Sequence, residues 1–185
     1  MDCVGWTVTD QATEAAVTLD EIKTSLRITP DDTTFDHQLE SQINAATKYL
    51  ERISARALMT QTIEARYCCL SQSMRLPVTP AQSIISISYN KAGETETIDN
   101  DKYELWIQGA FPHVVAKYGT NYPIVDKNTV LITYIAGLQI ADDVGKAIIT
   151  AIVADMFEHP ELSSEINLTT NKTIERAINS YTTSW

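Results

Sequence analysis

The sequence predicts an α+β fold, in which a helical bundle with a long central helix and C-terminal helices carries an inserted small antiparallel β-sheet or barrel. Residues 35–57 and 144–157 repeat apolar side chains every three to four positions, which is typical of amphipathic helices. Several short stretches between residues 62 and 135 alternate apolar and polar side chains, which is typical of half-buried strands. Prolines exclude long helices from that middle region, at positions Pro77, Pro80, Pro112 and Pro123.

The first part of the chain is predicted to be an arm followed by a short helix. Residues 1–17 show no sustained period. Thr18 and Glu21 then have the spacing of a capping box, in which each side chain accepts a hydrogen bond from the backbone N–H of the other residue. The helix must end near Pro30, because the residue before a proline is kept out of the helical region.

The long central helix is expected to begin at Asp31 or Asp32. It should continue for some 24 residues, which at about 1.5 Å a residue gives a rod of about 36 Å. The acidic cluster of Asp31, Asp32 and Asp36 is best interpreted as carboxylates that complement the helix dipole, not as a cation site. The apolar stripe consists of Phe35, Leu39, Ile43, Ala46, Leu50, Ile53 and Ala57.

The middle third is predicted to form antiparallel strands. A turn around Gly93 suits a hairpin, because glycine adopts positive φ without strain. The expected strands are residues 62–67, 85–89, 96–98, 103–107, 114–117 and 129–135.

A third helix is expected from Asp142 or Asp143 to about Glu158, where the His159-Pro160 pair ends it. Its apolar residues cover most of the circumference, so the helix needs packing partners on more than one side. Either neighbouring helices or a neighbouring subunit would supply them. The tail that follows carries aliphatic and aromatic residues, which either fold back on the core or fray, or anchor an interface.

These patterns divide the chain into five segments. They are an N-terminal arm (1–17), a helical part (18–59), a β insertion (60–138), a second helical part that packs with the first (139–160), and a C-terminal tail (161–185).

Charge and hydropathy exclude some functions. The 185 residues include 14 Lys and Arg against 24 Asp and Glu, a net charge of −10 that argues against a module that grips DNA phosphates. The acidic excess lies in residues 1–59 and 139–185. The longest apolar run, within residues 147–154, is interrupted by Thr150, whereas a membrane span needs about 20 apolar residues. No membrane partner is expected.

No motif for catalysis or for cofactor binding is present in the sequence. The six glycines form neither a dinucleotide-binding loop nor a phosphate-binding loop, and no nucleophile elbow occurs. His37, His113 and His159 lack the spacing that would place two metal ligands on one helix face. We therefore expect a protein that is not an enzyme, with no catalytic, cofactor-binding or metal-ligating residues and no cofactor.

Several segments, taken in order, resemble the head–tail connector (adaptor) proteins of tailed bacteriophages, a family also found in prophages and gene transfer agents. The first is VTLDEIKTSLRI at residues 17–28, which precedes the Asp-rich start of the long helix. The others are INAATKYLER at 43–52, RAL at 56–58, LPVTPAQSI at 76–84 and VLITYIAGL at 130–138.

The resemblance implies a structural protein of the virion neck. Such adaptors form a ring, generally twelve-fold, beneath the portal protein, extend the DNA channel, and receive a stopper or tail-completion protein. The C-terminal segment is expected to reach the portal, so the candidate portal-binding residues are Ile174, Ile178, Tyr181 and Trp185.

The acidic composition suits such a channel, since a negative lumen would let DNA pass without specific binding. The chain would be made in the host cytoplasm and end in the virion neck. Two alternatives stay open: another neck or tail-completion protein, and a soluble ligand-binding protein with a pocket in its β insertion.

Overall fold

A computed structural model describes residues 3–108, 111–138, 142–159 and 172–183. They divide into a β unit, which is the described part of 1–12 and 60–138, and a helical unit, which is the described part of 13–59 and 139–185. The elements in chain order are β1 (Gly5–Asp10), α1 (Leu19–Ser25), α2 (Asp36–Ser54), β2 (Gln61–Tyr67), β3 (Ser73–Arg75), β4 (Ala81–Lys91), β5 (Glu94–Thr97), β6 (Tyr103–Trp106), β7 (His113–Ala116), β8 (Val130–Ala136), α3 (Asp143–Glu158) and α4 (Lys172–Thr183).

The β unit contains two antiparallel sheets. Five strands pair in the order β1-β2-β8-β4-β5, and three pair in the order β3-β7-β6. The longest register joins Gln61–Tyr67 to Val130–Ala136, and alternate side chains of both strands are buried. The predicted α+β class and the six expected strands are confirmed, with boundaries shifted by a few residues.

Two strands were not predicted from the sequence. Strand β1 lies in the segment expected to be an arm, and its residues are almost all exposed, so they carry no apolar alternation. Strand β3 is only three residues long. Both are held by pairing with distant strands, β1 with β2 and β3 with β7, and not by a local pattern.

The predicted capping box forms at the start of α1. The backbone N–H of Glu21 donates to Thr18 Oγ1 at 3.2 Å, and the backbone N–H of Thr18 donates to Glu21 Oε2 at 2.7 Å. Two of the amides left unpaired at a helix start are thereby satisfied.

The predicted start of the long helix was wrong, because α2 begins at Asp36 and not at Asp31 or Asp32. The Asp32 carboxylate accepts a hydrogen bond from the N–H of Thr34 at 2.9 Å. Such local bonds from side chain to backbone compete with helix formation. The helix ends before Ala55, which has a left-handed φ of 53°, so α2 has 19 residues and a length of about 28 Å.

The helical unit buries one side of α2 and one side of α3. Leu39, Ile43, Ala46 and Leu50 are at most 4 % exposed, as the predicted stripe requires. Phe35, also predicted in the stripe, instead precedes the helix and is 38 % exposed. Helix α3 begins and ends where expected and contacts α1, α2 and α4. Over the described ranges, no helix has both the length and the hydropathy needed to cross a membrane.

Candidate interaction surface

Three of the four candidate portal-binding residues lie on one side of α4. Ile174, Ile178 and Tyr181 are spaced at i, i+4 and i+7, so they line a single helix face. All three are at most 6 % exposed, and α4 contacts both α2 and α3. Trp185 lies outside the described residues. In this structure the apolar side of α4 therefore faces the interior of the helical unit.

Tyr181 is held by two groups that are distant in sequence. Its hydroxyl donates a hydrogen bond to Asp142 Oδ1 at 2.9 Å. The guanidinium carbon of Arg56 lies 4.7 Å from the centre of its ring, which is within the range of a cation–π interaction. Burial raises the pKa of the Tyr181 hydroxyl far above its usual value of 10, so the group stays a neutral donor.

Gly145 lets α3 approach this cluster closely. A Cβ atom at position 145 would lie 2.7 Å from Asp142 Oδ1, 3.2 Å from Leu58 Cδ2 and 3.3 Å from the Tyr181 hydroxyl. Any larger residue would therefore displace the carboxylate that accepts from Tyr181. Sequence reasoning missed this cluster, although a glycine inside an apolar helical pattern is a known sign of close packing.

Further polar contacts fix the other helices. Lys146 Nζ lies 2.9 Å from Glu21 Oε1 and links α3 to α1. The hydrogen bond from the backbone of Thr18, and after it the one from Lys146, lower the pKa of Glu21. Buried Lys23 lies 2.6 Å from Asp36 Oδ1, so the first turn of α2 is tied to α1.

The end of α2 is fixed in the same way. Glu51 Oε1 accepts a hydrogen bond from the N–H of Leu58 at 2.9 Å. Burial raises the pKa of Glu51, and this hydrogen bond and nearby Lys48 oppose the effect. The chain leaving α2 is therefore held beside α3, where Leu58 comes close to Gly145.

The β unit carries exposed apolar residues in and beside its three-stranded sheet. Trp106 and Ile107 are 56 % and 65 % exposed, and Tyr118 and Ile124 in the loop before β8 are almost fully exposed. Large apolar side chains of this kind often anchor protein interfaces. The β unit therefore also offers exposed apolar residues suited to contact with another protein.

The described residues show features of a protein-binding surface and few features of a metal or catalytic site. Nowhere in the ranges that the structure describes do three or more His, Cys, Asp or Glu side chains gather closely enough to hold a metal ion. His113 contacts the backbone oxygen of Phe111, while His37 lies at the exposed start of α2 and His159 follows the end of α3. What the arrangement offers is apolar helix faces and exposed aromatic residues.

Comparisons with known proteins agree with this picture. Residues 18–75 match the family model described as phage connector protein, a match that runs from the cap of α1 to the end of β3. No curated protein sequence matches this chain significantly.

Solved structures with the same fold come from gene transfer agent (GTA) particles. A chain from the neck of an empty GTA particle, computed with C6 symmetry, has a TM-score of 0.73 at 18 % identity, and the match covers 84 % of each chain. A chain from the virion of the native GTA particle has a TM-score of 0.71 at 19 % identity, covering 83 % of this chain and 84 % of that one. A chain from the native neck, computed with C12 symmetry, scores 0.69 at 18 % identity over 84 % of both.

The two kinds of comparison use different features of the chain. The family model compares sequence over residues 18–75, whereas the structural likeness compares fold over more than four fifths of the chain. The predicted resemblance to the phage head–tail connector proteins is thereby confirmed, and together the findings support a connector role.

Proposed function

We propose that this chain is a head–tail connector of a tailed phage or of a phage-like particle. The observation that carries the proposal is the shared fold over 84 % of both chains with a GTA neck chain, together with the connector-family match of residues 18–75. In this role the chain acts by binding other proteins and not by catalysis. It is made in the host cytoplasm and becomes part of the virion neck.

In the proposed assembly, copies of the chain form a twelve-fold ring beneath the portal protein, with the four helices acting as a bundle. The chains with the same fold come from particles computed with C6 and C12 symmetry. The ring extends the DNA channel and receives a stopper or tail-completion protein on its other side. The net charge of −10 lets DNA pass without specific binding.

Portal attachment through Ile174, Ile178, Tyr181 and Trp185 belongs to the same proposal. Because the first three are buried in the helical unit, α4 has to exchange its contacts with α2 and α3 for contacts with the portal. Fully burying an Ile side chain stabilises a folded protein by about 1.5–3 kcal/mol. The portal must therefore supply an apolar surface similar in extent to the one that α4 leaves. Contact inside the chain and contact with the portal are then alternative states of one helix.

The connector role is tested by deleting the gene for this chain in the phage or gene transfer agent that encodes it. We expect DNA-filled heads without tails, seen by electron microscopy, and normal particles when the gene is restored. Complete tailed particles without the chain, or mature particles that lack it, would refute the role. Thermal stabilisation of the purified chain by a small metabolite would instead favour the ligand-binding alternative.

The exchange of α4 is tested with Asp142→Ala, which removes the acceptor of the Tyr181 hydrogen bond but leaves α4 itself unchanged. The side chain of Asp142 makes no cap hydrogen bond, so α3 keeps its start. Loosening α4 should strengthen attachment to portal-bearing heads by up to about tenfold in co-sedimentation. Asp20→Ala, at an exposed position on α1, is the control and should leave attachment unchanged. Weaker attachment of Asp142→Ala would contradict the exchange.

A further inference from the structure

The outward sides of α2 and α3 differ in charge. Near the C-terminal end of α2, a shallow cavity of about 230 Å³ is lined by Ala45, Lys48, Tyr49 and Arg52. Arg52 lies over the Tyr49 ring, 5.7 Å from its centre. We call these four residues the α2 groove. Two cations beside an apolar floor are notable in a chain with a net charge of −10.

The outward side of α3 is apolar in the middle and acidic at both ends. Val144, Ala147 and Ala151 are exposed although they lie on a strongly apolar helix, and Val144 is 56 % exposed. Asp143 and Glu158 are the exposed carboxylates at the two ends. We call these five residues the α3 strip. Helices α1, α2 and α4 cover α3 elsewhere, so the strip is the part of its apolar circumference that the described residues leave uncovered.

We propose that the α3 strip of one copy of this chain packs into the α2 groove of the next copy. The inference rests on the proposed connector role and names the surfaces through which the ring closes. The groove spans residues 45–52 and the apolar middle of the strip residues 144–151, about 10 Å along each helix, so the two lengths match. The alanines of the strip allow two helix axes to approach to about 8 Å, the close end of helix packing.

Charge decides which faces can meet. Two α2 grooves would bring Lys48 and Arg52 against their own copies, and two α3 strips would bring carboxylates together. Packing of the α2 groove against the α3 strip instead places Lys48 and Arg52 opposite Glu158. Unlike faces give a heterologous contact, which generates a ring when its rotation closes, whereas like faces would give a two-fold dimer. The charge pattern therefore favours a ring.

The experiment uses a background with Cys3, Cys68 and Cys69 replaced by Ser. Ala45→Cys and Ala151→Cys chains, which carry one thiol each, are co-expressed during particle assembly, and purified particles are treated with a short bismaleimide cross-linker. We expect cross-linked dimers only when both chains are present, because groove and strip lie on different surfaces of each copy. Asp20→Cys, an exposed position on α1, replaces Ala151→Cys in the matched control and should give none.

A charge swap tests the same contact without cross-linking. Arg52→Glu should reduce incorporation into particle necks by at least about tenfold, the effect of a like-charge contact of a few kcal/mol. Adding Glu158→Arg to the same chain reverses both partners in every interface and should restore incorporation. Lys127→Glu, at an exposed position in the β unit, is the control and should have no effect.

The outcomes separate the two proposals. A chain that enters necks without groove-to-strip cross-links, or a charge swap that fails to restore incorporation, overturns this interface and leaves the connector role standing. A chain that never enters particles overturns the connector role, and this interface with it. Cross-links together with restored incorporation support both.

Discussion

Tyr181 joins residues that are far apart in sequence. Its hydroxyl reaches Asp142, its ring lies beneath Arg56, and Gly145 leaves the room for both contacts. Removing one member of such a cluster costs more than its own contact, because a buried polar group loses its partner. Docking of α4 therefore depends on single residues outside α4.

Gly145→Ala tests this cluster. In an open helix position alanine would stabilise by about 1 kcal/mol over glycine. Here the added Cβ would lie 2.7 Å from Asp142 Oδ1, so we expect a net loss of about 1 kcal/mol of unfolding free energy in urea denaturation. In a Tyr181→Phe background, which already lacks the hydrogen bond, the loss should be smaller.

Ala147→Gly provides the control for helix propensity, because this residue is exposed on the same helix. It should cost about 1 kcal/mol in either background. If Gly145→Ala stabilised the protein by the ordinary helix increment, the close approach of α3 to Tyr181 would be wrong.

At the scale of the elements, the capping box of α1 also carries an ion pair. Glu21 accepts from the backbone of Thr18 and pairs with Lys146 on α3, so one carboxylate both caps a helix and links two helices. Local sequence revealed the first role. The second depends on tertiary packing.

This arrangement makes part of the stability depend on pH. The folded-state pKa of Glu21 lies below its ordinary value of 4.5, so its contribution is fully present above that value and is lost as the pH falls through the lowered pKa. Glu21→Gln keeps an acceptor for the cap but removes the charge. The difference in unfolding free energy between the native chain and this variant should be largest at neutral pH and vanish in acid.

Lys146→Met provides the matched background for this comparison. Without the cation on α3, the effect of Glu21→Gln at neutral pH should shrink, because only the cap remains. An effect of the same size in both backgrounds would show that the ion pair adds nothing to stability.

The periodic patterns predicted most elements but not all of their ends. The stripe from Leu39 to Leu50 and the alternation of Ile63, Ala65 and Tyr67 follow directly from burial of one face. The start of α2 was misjudged because the turn at Asp32 competes with the helix. Strand β1 was not predicted because its stability comes from its pairing with β2.

At the scale of the whole molecule, the net charge of −10 argues against a surface that binds DNA phosphates. A channel that conducts DNA should repel phosphate and not bind it. We expect no retardation of duplex DNA in gel electrophoresis at low salt, where electrostatic binding is strongest. Retardation that weakens steeply as salt is added would reveal a phosphate-binding surface and contradict the proposed channel.

The candidate portal-binding residues were predicted because they are apolar and lie in the C-terminal segment, which the family resemblance places at the portal. The structure adds that Ile174, Ile178 and Tyr181 line one helix face and are already buried. Their contact with a portal stays a prediction. That contact would require α4 to leave α2 and α3.

The sequence by itself determined the α+β class, the α1 cap, the buried stripes and the resemblance to phage connector proteins. Each depends on residues close together along the chain, where spacing and side-chain chemistry act directly. Only the tertiary structure decided where α4 docks, why position 145 is a glycine, and which side of α3 the described residues leave uncovered. Those features arise from contacts between residues as distant as Arg56 and Tyr181, and no local pattern records such contacts.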